Sequence, residues 1–191
     1  FDSFGLRLAA RYEKVDNFSS LDPKISLSYN PIDQITLRIS RGTSFTMPSM
    51  AQMYSSDINL GSVRDLEGSI FVRQARIGNP DLKPATSTNS NFGFIYDSDI
   101  NRFSVDYWKI DYRDRIEAES SQAILDLNPQ GPSITRNENG ELIAVTTTYF
   151  NEESTLISGI DLSYEHNFDL NDNGQLELTL KGTSFFEFLT P

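Results

Sequence analysis

Apolar and polar residues alternate along seven segments of the chain, and this period of two limits the fold more than any other feature of the sequence. Successive side chains of a β-strand point to opposite faces, so each segment predicts a strand with one apolar and one polar face. The predicted strands cover residues 4–15, 23–30, 34–43, 88–97, 101–114, 154–168 and 175–188. We therefore expect an all-β fold of long antiparallel strands that run up and down.

The connections between these strands alternate between short and long. Turn-forming residues fill short connections at 30–33, 97–101 and 169–174, a modest loop lies at 16–22, and long stretches lie at 44–87 and 115–153. In an up-and-down arrangement all the short turns fall at one end of the strands. Short turns at one end and long loops at the other are typical of a transmembrane β-barrel. Since strands form the wall of such a barrel, we expect any helix to be short and confined to the loops.

Two local features of the pattern carry further predictions. Residues 142–149 alternate like a strand, and we expect them to form a hairpin arm inside the second long loop that leads into the strand around Ile160. At Tyr107 and Trp108 the apolar residues move from one face of the strand to the other, which predicts a β-bulge.

Alternation alone does not distinguish a membrane barrel from a soluble β-sandwich, in which the apolar face is a core. Several segments reach the length of about 9–11 residues that a tilted membrane strand needs. Aromatic residues near the strand ends resemble the interfacial girdles of membrane barrels: Tyr12, Tyr29, Tyr96, Tyr112, Tyr164 and Phe188. These two features favour the membrane barrel.

Composition excludes several classes of protein. The formal net charge of −11 argues against nucleic acid or an anionic membrane surface as the partner. The chain has no cysteine, which excludes disulfides and thiol chemistry, and it has no apolar run long enough for a transmembrane helix. It starts at Phe1 with neither an initiator methionine nor a signal peptide, so we expect it to be a fragment.

Two segments resemble motifs of the TonB-dependent outer-membrane receptors. Residues 40–48, SRGTSFTMP, are similar to the stretch in which a barrel strand of that family climbs into a long outer loop. Residues 78–84, GNPDLKP, are similar to the family's G-N-P-x-L-K-P motif, although Ala85 and Asn91 stand where the family usually has Pro-Glu and a later Glu. Residues 105–112, Asn151 and 159–162 fit the family's later strands, so the resemblance covers nearly the whole chain.

The resemblance implies a large transmembrane barrel of about 22 strands with a plugged lumen, of which residues 1–191 supply an incomplete portion of about seven. The plug domain, the short box that contacts TonB and the terminal aromatic strand are expected outside these residues. The implied protein lies among the lipids of a Gram-negative outer membrane and contacts the TonB complex through the missing N-terminal region. It imports a scarce nutrient such as a siderophore, cobalamin or a glycan, without enzymatic activity or a cofactor.

The first long loop carries candidate ligand-facing residues: Tyr54, Arg64, Phe71, Arg73 and Arg76. Guanidinium groups beside aromatic rings suit an anionic or aromatic ligand, although an ordinary solvated loop has a similar composition. Charged residues on the polar strand faces are expected to point into the lumen: Arg7, Arg11, Arg38, Asp161, Glu165, Glu177 and Lys181.

Two other functions are consistent with an all-β chain. One is a soluble β-sandwich that binds carbohydrate; the other is a hydrolase with paired carboxylates, although the predicted strands bring no such pair together. His166 is the only histidine, so neither a His-based zinc site nor a Ser-His-Asp triad can be assembled, and we expect it near the rim where the short turns lie. Residues 169–174 match the first half of an EF-hand loop, but the twelfth position of that loop is Leu180 rather than a glutamate.

Overall fold

Strands make up most of the computed structural model, which describes residues 3–15, 18–66, 68–171 and 174–189. The strands are β1 (Ser3–Val15), β2 (Phe18–Ile32), β3 (Ile35–Thr46), β4 (Ser56–Asp65), β5 (Gly68–Ile77), β6 (Ala85–Asp97), β7 (Asn101–Ala118), β8 (Ile134–Arg136), β9 (Leu142–Asp169) and β10 (Gln175–Leu189). Two short helices, α1 (Met50–Tyr54) and α2 (Ser121–Leu127), lie in the two long connections. None of the described helices is long and apolar enough to cross a bilayer. The predicted all-β fold, with short helices confined to the loops, is confirmed.

The chain divides into two compact units. The first, which we call the wall unit, consists of Phe1–Phe45, Thr86–Arg113 and Ser154–Pro191. The second, the loop unit, consists of Thr46–Ala85 and Asp114–Glu153. The loop unit therefore corresponds closely to the two long connections that the sequence predicts.

The wall unit is a sheet in which each strand lies beside the strands that precede and follow it in that unit. The order is β1-β2-β3-β6-β7-β9-β10. The pairs β1–β2, β2–β3, β6–β7 and β9–β10 are antiparallel. Within the described residues β1 and β10 each pair with a single neighbour, so the sheet is open. An open up-and-down sheet agrees with the prediction of an incomplete barrel.

The short turns of the wall unit lie together at one end. The backbone N–H of Asp97, which ends β6, donates to the carbonyl of Gln34 in the β2–β3 turn at 2.8 Å. The N–H of Asn167 near the end of β9 donates to the carbonyl of Ile100 in the β6–β7 turn at 2.9 Å. The β9–β10 turn closes with a 2.8 Å hydrogen bond from Leu170 N–H to Gly174 O, although Asp172 and Asn173 lie outside the described residues.

The two faces of the wall sheet differ in chemistry. One face, the apolar face, carries rows such as Leu6, Leu27 and Ile39 on β1–β3 and the pair Phe92 and Tyr107 on β6–β7. Ile39 and Phe92 are each 51% exposed, so no described residue covers this face there. The other face, the polar face, carries charged, amide and hydroxyl side chains. An exposed apolar sheet face of this extent is normally covered by lipid or by another protein.

The β-bulge that the sequence predicts at Tyr107 and Trp108 is wrong for the pairing with β6. That pairing runs without a shift from Thr86 opposite Arg113 to Asp97 opposite Arg102. The apolar residues change face because Trp108 packs on the polar face, and the register of β7 with β6 is unaffected. In the wall unit, register shifts occur between Tyr29 and Ile32 and between Phe185 and Glu187.

The loop unit forms its own small core beneath the β4–β5 hairpin. Its buried residues are Val63, Val72, Leu125, Leu142 and Val145. The hairpin pairs in antiparallel register from Ser56 opposite Ile77 to Asp65 opposite Gly68. The sequence predicts only a long loop here, because the alternation in β4 is interrupted by glycine and polar residues.

The prediction that residues 142–149 form a hairpin arm is confirmed. β8 pairs antiparallel with the start of β9, with Ile134 opposite Val145. The same stretch also pairs in parallel with β5, from Arg73 opposite Ala144 to Ile77 opposite Thr148. This parallel pairing was not predicted, because it joins two stretches that are far apart in the sequence.

Candidate ligand-binding site

Three of the predicted ligand-facing residues share one exposed face of the β4–β5 hairpin. The register places Leu60 opposite Arg73, Ser62 opposite Phe71 and Arg64 opposite Ser69. Because side chains directly opposite each other lie on the same side of a sheet, Arg64, Phe71 and Arg73 point the same way. We call this surface the hairpin face; it consists of Ile58, Leu60, Arg64, Phe71 and Arg73.

The apolar members of the hairpin face are strongly exposed. Phe71 is 79% exposed and Leu60 75%, while Val72 and Val63 on the opposite side of the hairpin are buried. Neighbouring side chains on one side of a strand repeat about every 6.8 Å, so Arg64 and Arg73 lie roughly 14 Å apart with Phe71 between them. An aromatic ring flanked by two guanidinium groups can bind a planar or anionic ligand.

Arg76 lies away from the hairpin face. It belongs to the opposite side of β5, where its guanidinium carbon lies 5.6 Å from the ring centroid of Tyr149. Its Nε is buried and makes no hydrogen bond. Arg76 therefore helps to pack the loop unit, and the structure does not bring it together with Arg64 and Arg73.

Tyr54 is the last residue of α1, a single helical turn whose start is fixed by a capping box. Ser49 Oγ accepts a hydrogen bond from the N–H of Gln52 at 3.2 Å, and Gln52 Oε1 accepts one from the N–H of Ser49 at 2.8 Å. Reciprocal bonds of this kind satisfy two donors that a helix start leaves free. Tyr54 is 64% exposed, so its ring is open to a ligand.

The side chain of Gln122, on α2, lies beside Arg64. Gln122 Oε1 accepts a hydrogen bond from the N–H of Arg64 at 2.7 Å, and its Nε2 donates to the carbonyl of Arg64 at 3.0 Å. The amide thus occupies the edge of β4 in the way that a neighbouring strand would. A cavity of about 390 Å³ lies at this point, lined by Ser62, Val63, Arg64, Ser69, Gln122 and Asp126. Sequence periodicity gave no sign of Gln122, because the pairing depends on tertiary contact.

The GNPDLKP motif ties the two stretches of the loop unit together. Asn79 Nδ2 donates to the carbonyl of Tyr149 at 2.9 Å. Asn151 accepts from the N–H of Lys83 at 2.8 Å and donates to the carbonyls of Lys83 and Asp114 at 2.9 and 2.8 Å. One asparagine therefore joins three stretches of backbone by hydrogen bonds.

Gly78, the first residue of that motif, lies against α1. A Cβ atom at this position would approach the carbonyl carbon and oxygen of Met53 to 2.7 Å, so only glycine fits without movement. Leu82 of the same motif is buried, with 2% exposure. The motif thus has a structural function, which agrees with its interpretation as the exit from a loop.

An ion pair of low exposure links the β4–β5 turn to β8. Arg136 donates to the two carboxylate oxygens of Asp65 at 2.7 and 3.1 Å and to the carbonyl of Gly140 at 3.0 Å. The hydrogen bond from Arg136 holds the pKa of Asp65 below its ordinary value of 3.8. A carboxyl group with a lowered pKa stabilises the folded state above its unfolded pKa, and that stabilisation is lost as the pH falls through the folded value.

On the polar face of the wall unit, the residues predicted to point into the lumen share one side of the sheet. Arg7, Arg38 and Asp161 line a common cavity of about 1000 Å³. Arg11 lies opposite Asp22, with its Nη2 at 3.9 Å from Asp22 Oδ2. Glu165, Lys181 and Glu177 lie on the same side by strand alternation and register. That this side faces a lumen stays a prediction.

Two glycines let side chains on the polar face reach across a strand. Arg38 on β3 and Asp106 on β7 form a bidentate ion pair at 2.7 Å, and β6 lies between them at Gly93. A Cβ on Gly93 would lie 2.3 Å from Asp106 Oδ1. Trp108 on β7 likewise covers Gly159 on β9 and meets Phe185 edge to face, with ring centroids 5.5 Å apart.

Two other features that the sequence singles out are His166 and residues 169–174. Within the described part of the chain, no three histidine or acidic side chains come together in a way that would hold a metal ion. His166 lies near the short turns, as predicted, with its Nδ1 2.7 Å from Asn101 Oδ1 and its ring 4.1 Å from that of Phe168. The resemblance of 169–174 to an EF-hand loop includes Asp172 and Asn173, which lie outside the described residues.

Comparisons with known proteins agree with this architecture. The sequence matches the family described as TonB dependent receptor-like, beta-barrel, over residues 1–186. It is 28% identical over 114 residues to the probable TonB-dependent siderophore receptor PirA of Acinetobacter baumannii, covering 60% of this chain and 15% of that protein. The chain therefore spans a small part of the length of this relative.

Solved structures share the same fold. The siderophore receptor PirA from Acinetobacter baumannii aligns with a TM-score of 0.65 at 23% identity, covering 97% of this chain and 26% of that one. The ferric enterobactin receptor PfeA in complex with BCV-L6 aligns with a TM-score of 0.68 at 19% identity, covering 96% of this chain and 25% of that one. A third structure is a double mutant of the Serratia marcescens hemophore receptor HasR in complex with its hemophore HasA and heme. It aligns with a TM-score of 0.61 at 14% identity, covering 97% of this chain and 29% of that one.

The soluble β-sandwich and the hydrolase are not favoured by these findings. All the relatives described above are named as receptors, and none is named as an enzyme. The family match extends over almost the whole chain, and the open up-and-down wall sheet fits a part of a larger barrel. The chain belongs to the TonB-dependent receptor family, as part of its outer-membrane β-barrel domain.

Proposed function

We propose that the receptor containing this chain imports a scarce nutrient across the outer membrane of a Gram-negative type of cell, energised through TonB. The family match over residues 1–186 is the observation that carries this proposal. The chain spans about a quarter of the solved receptors that it resembles. In this proposal the plug and the TonB contact belong to other parts of the receptor. In this role the wall unit contributes barrel wall, and the loop unit contributes outer loops that capture the ligand.

The ligand class that we propose is an anionic iron chelate of the siderophore type. Two relatives are named as siderophore or ferric enterobactin receptors, and the hairpin face offers groups that suit such a ligand. Arg64 and Arg73 supply positive charge, and Phe71 supplies an exposed ring between them. Guanidinium groups bind carboxylate and catecholate oxygens through paired donors, while an aromatic ring packs on the planar parts of a chelate.

Tyr54 and Arg76 have different roles in this proposal. Tyr54 is exposed at the end of α1 and is available as an additional aromatic contact. Arg76 lies over Tyr149 on the other side of β5, so it supports the hairpin from beneath. We infer that ligand capture depends on Arg64, Phe71 and Arg73, and that Arg76 acts through the packing of the loop unit.

The test is binding of ferric enterobactin, used as a probe, to the purified full-length receptor by isothermal titration calorimetry. We expect the double variant Arg64→Gln/Arg73→Gln to bind at least tenfold more weakly than the wild type, because hydrogen bonds to charged groups contribute about 1.5–3 kcal/mol each. Arg102→Gln is the matched control, since Arg102 is also exposed but lies by the short turns, paired with Asp97. Its affinity is expected to equal that of the wild type.

Uptake of radioactive iron by cells with and without TonB tests the import step separately. Uptake that persists unchanged without TonB would contradict energised import. Equal binding by the wild type and the Arg64→Gln/Arg73→Gln variant, with TonB-dependent uptake intact, would instead remove only the hairpin face from the proposal. The two results thus distinguish an error in the function from an error in the site.

A further inference from the structure

On β3 and β7 the apolar face of the wall unit gives way to basic residues. Towards the short turns, β3 and β6–β7 carry Ile39 and the pair Phe92 and Tyr107 on this face. Two residues further along each strand, on the side of the long connections, the same face carries Arg41 on β3 and Lys109 on β7. The change from large apolar to basic side chains is therefore abrupt and occurs on two strands at once.

Arg41 and Lys109 lie in one row. Lys109 is directly opposite Ser90 on β6. On the polar face, Asn91 Nδ2 donates to Ser40 Oγ at 3.4 Å, and the hydroxyl groups of Ser44 and Ser87 lie 2.8 Å apart. These two contacts fix the alignment of β3 with β6 and place Arg41 across from Ser90. With neighbouring strands about 4.8 Å apart, the Cα atoms of Arg41 and Lys109 are roughly 10 Å apart, with the Ser90 hydroxyl between them.

Arg41 and Lys109 have no counter-ion in the part of the chain that the structure describes. Among the described residues, no carboxylate forms an ion pair with Arg41 or Lys109. The nearest acidic residue along β7 on that face, Asp111, is already 3.8 Å from Arg113. A charge beside an apolar surface is costly unless an opposite charge or water compensates it. An anion that reaches this row from the apolar side would be bound by both residues.

We propose that Arg41 and Lys109 bind the phosphate group of a membrane lipid in the leaflet on the side of the long connections. Ile39, Phe92 and Tyr107, one row below, contact the acyl chains of the same lipid. The net charge of −11 speaks against an anionic partner for the chain as a whole, but Arg41 and Lys109 are locally basic and lie where the apolar side chains of β3 and β7 end. Basic residues at such a boundary attract anionic headgroups. The inference rests on the membrane location in the proposed function.

The experiment measures lipid phosphate bound to the full-length receptor purified in a mild detergent, by native mass spectrometry and phosphorus analysis. We expect the Arg41→Gln/Lys109→Gln variant to bind a phosphate-bearing lipid about 30-fold more weakly, the loss for two basic residues near an anionic lipid surface. Lys24→Gln is the matched control, because Lys24 lies opposite Gly42, the residue after Arg41, and points to the polar face. The control and the charge-conserving Arg41→Lys/Lys109→Arg variant are expected to keep their lipid.

The second measurement is lipid binding by the wild-type receptor. Its result does not depend on whether a variant folds. The delipidated receptor is titrated with a phosphate-bearing membrane lipid and with the same lipid after enzymatic dephosphorylation, and the thermal unfolding midpoint is followed. The inference predicts a rise in the midpoint with the phosphorylated lipid only. Equal rises with both lipids, or a glutamine variant that retains wild-type amounts of lipid, would overturn it. A receptor that binds this lipid but imports nothing leaves the inference standing and contradicts the proposed function.

Discussion

Glycine at position 93 allows two charged side chains to meet across an intervening strand. Arg38 and Asp106 lie on β3 and β7, and their bidentate pair passes over β6 at the one position of that strand without a side chain. Trp108 uses Gly159 in a similar way. On a sheet where every second residue points to the same face, glycine positions of this kind decide which distant side chains can touch.

The residue-scale prediction is that Gly93→Ala destabilises the receptor by about 1–3 kcal/mol, the usual cost of adding a methyl group where there is no room. A Cβ there would lie 2.3 Å from Asp106 Oδ1 and 2.5 Å from Arg38 Nε. The measurement is the urea midpoint of the refolded full-length receptor in detergent micelles. Gly182→Ala on β10 is the control, because a Cβ at Gly182 meets nothing within 4 Å. Equal stability of the two variants would mean that the ion pair moves aside without cost.

At the scale of the strand, β3 provides a direct comparison of the two faces of the sheet. Leu37 pairs with Tyr29 on the apolar face, whereas Thr36 accepts a hydrogen bond from Asn30 Nδ2 at 2.6 Å on the polar face. The two positions are adjacent in the sequence, so a change at either one perturbs the same strand. Only the surroundings of the new side chain differ.

We expect Leu37→Arg to impair assembly of the full-length receptor and Thr36→Arg to be much milder. An arginine on the lipid side of a barrel costs about 2–4 kcal/mol near the midplane, whereas one on the lumen side remains hydrated. Heat-modifiable migration on a gel measures the folded fraction of each variant. Similar folded fractions for the two arginine variants would show that the apolar face does not meet lipid.

Long strands of the wall were predictable from the sequence, and much of the loop unit was not. The alternation in 34–43 or 88–97 repeats often enough to identify a strand, and residues 30–33 and 97–101 have clear turn chemistry. β4 lacks that repeat, because Gly61 and several polar residues occupy its positions. Its pairing with β5 is stabilised by the core that includes Val72 and Val145, which no local pattern reveals.

The candidate site was predictable in composition but not in geometry. Arginine and aromatic residues in 44–87 indicated a ligand surface, and the register then placed Arg64, Phe71 and Arg73 on one side. Arg76 was expected on the same face. It lies instead on the inner side of β5 with the buried Val72, because residues four apart on a strand point to the same side. The sequence does not reveal where the hairpin begins and ends, so it could not show which residues of β5 point to the core and which point outward. The bulge predicted at Tyr107 and Trp108 was wrong for the pairing with β6 for a related reason, since the open space above Gly159 is visible only in three dimensions.

For the molecule as a whole, the two edges of the wall sheet determine behaviour in solution. β1 and β10 each have one neighbour among the described strands, so each edge leaves backbone donors and acceptors without strand partners. The apolar face adds a large exposed surface, with Leu8 on β1 at 69% and Leu180 on β10 at 58% exposure. In a complete barrel, neighbouring strands would pair with both edges.

We expect residues 1–191, prepared alone, to associate into oligomers when detergent is absent. Edge pairing and packing of one apolar face on another would both remove exposed groups from water. Sedimentation velocity in an analytical ultracentrifuge measures the mass distribution directly. A single monomeric species without detergent would show that the apolar face is a soluble core, and the barrel interpretation would fail.

The loop unit is built from two stretches that are separated by 28 residues of barrel wall, Thr86–Arg113. β5 from the first stretch and the start of β9 from the second are hydrogen-bonded partners, and Val72 and Val145 share a core. Asn151 of the second stretch is bonded to Lys83 of the first. Neither stretch can therefore diversify alone: an insertion or a change of residue size in one needs a compensating change in the other. The two stretches should covary as one evolutionary unit, and a transplant of binding specificity between receptors should carry both.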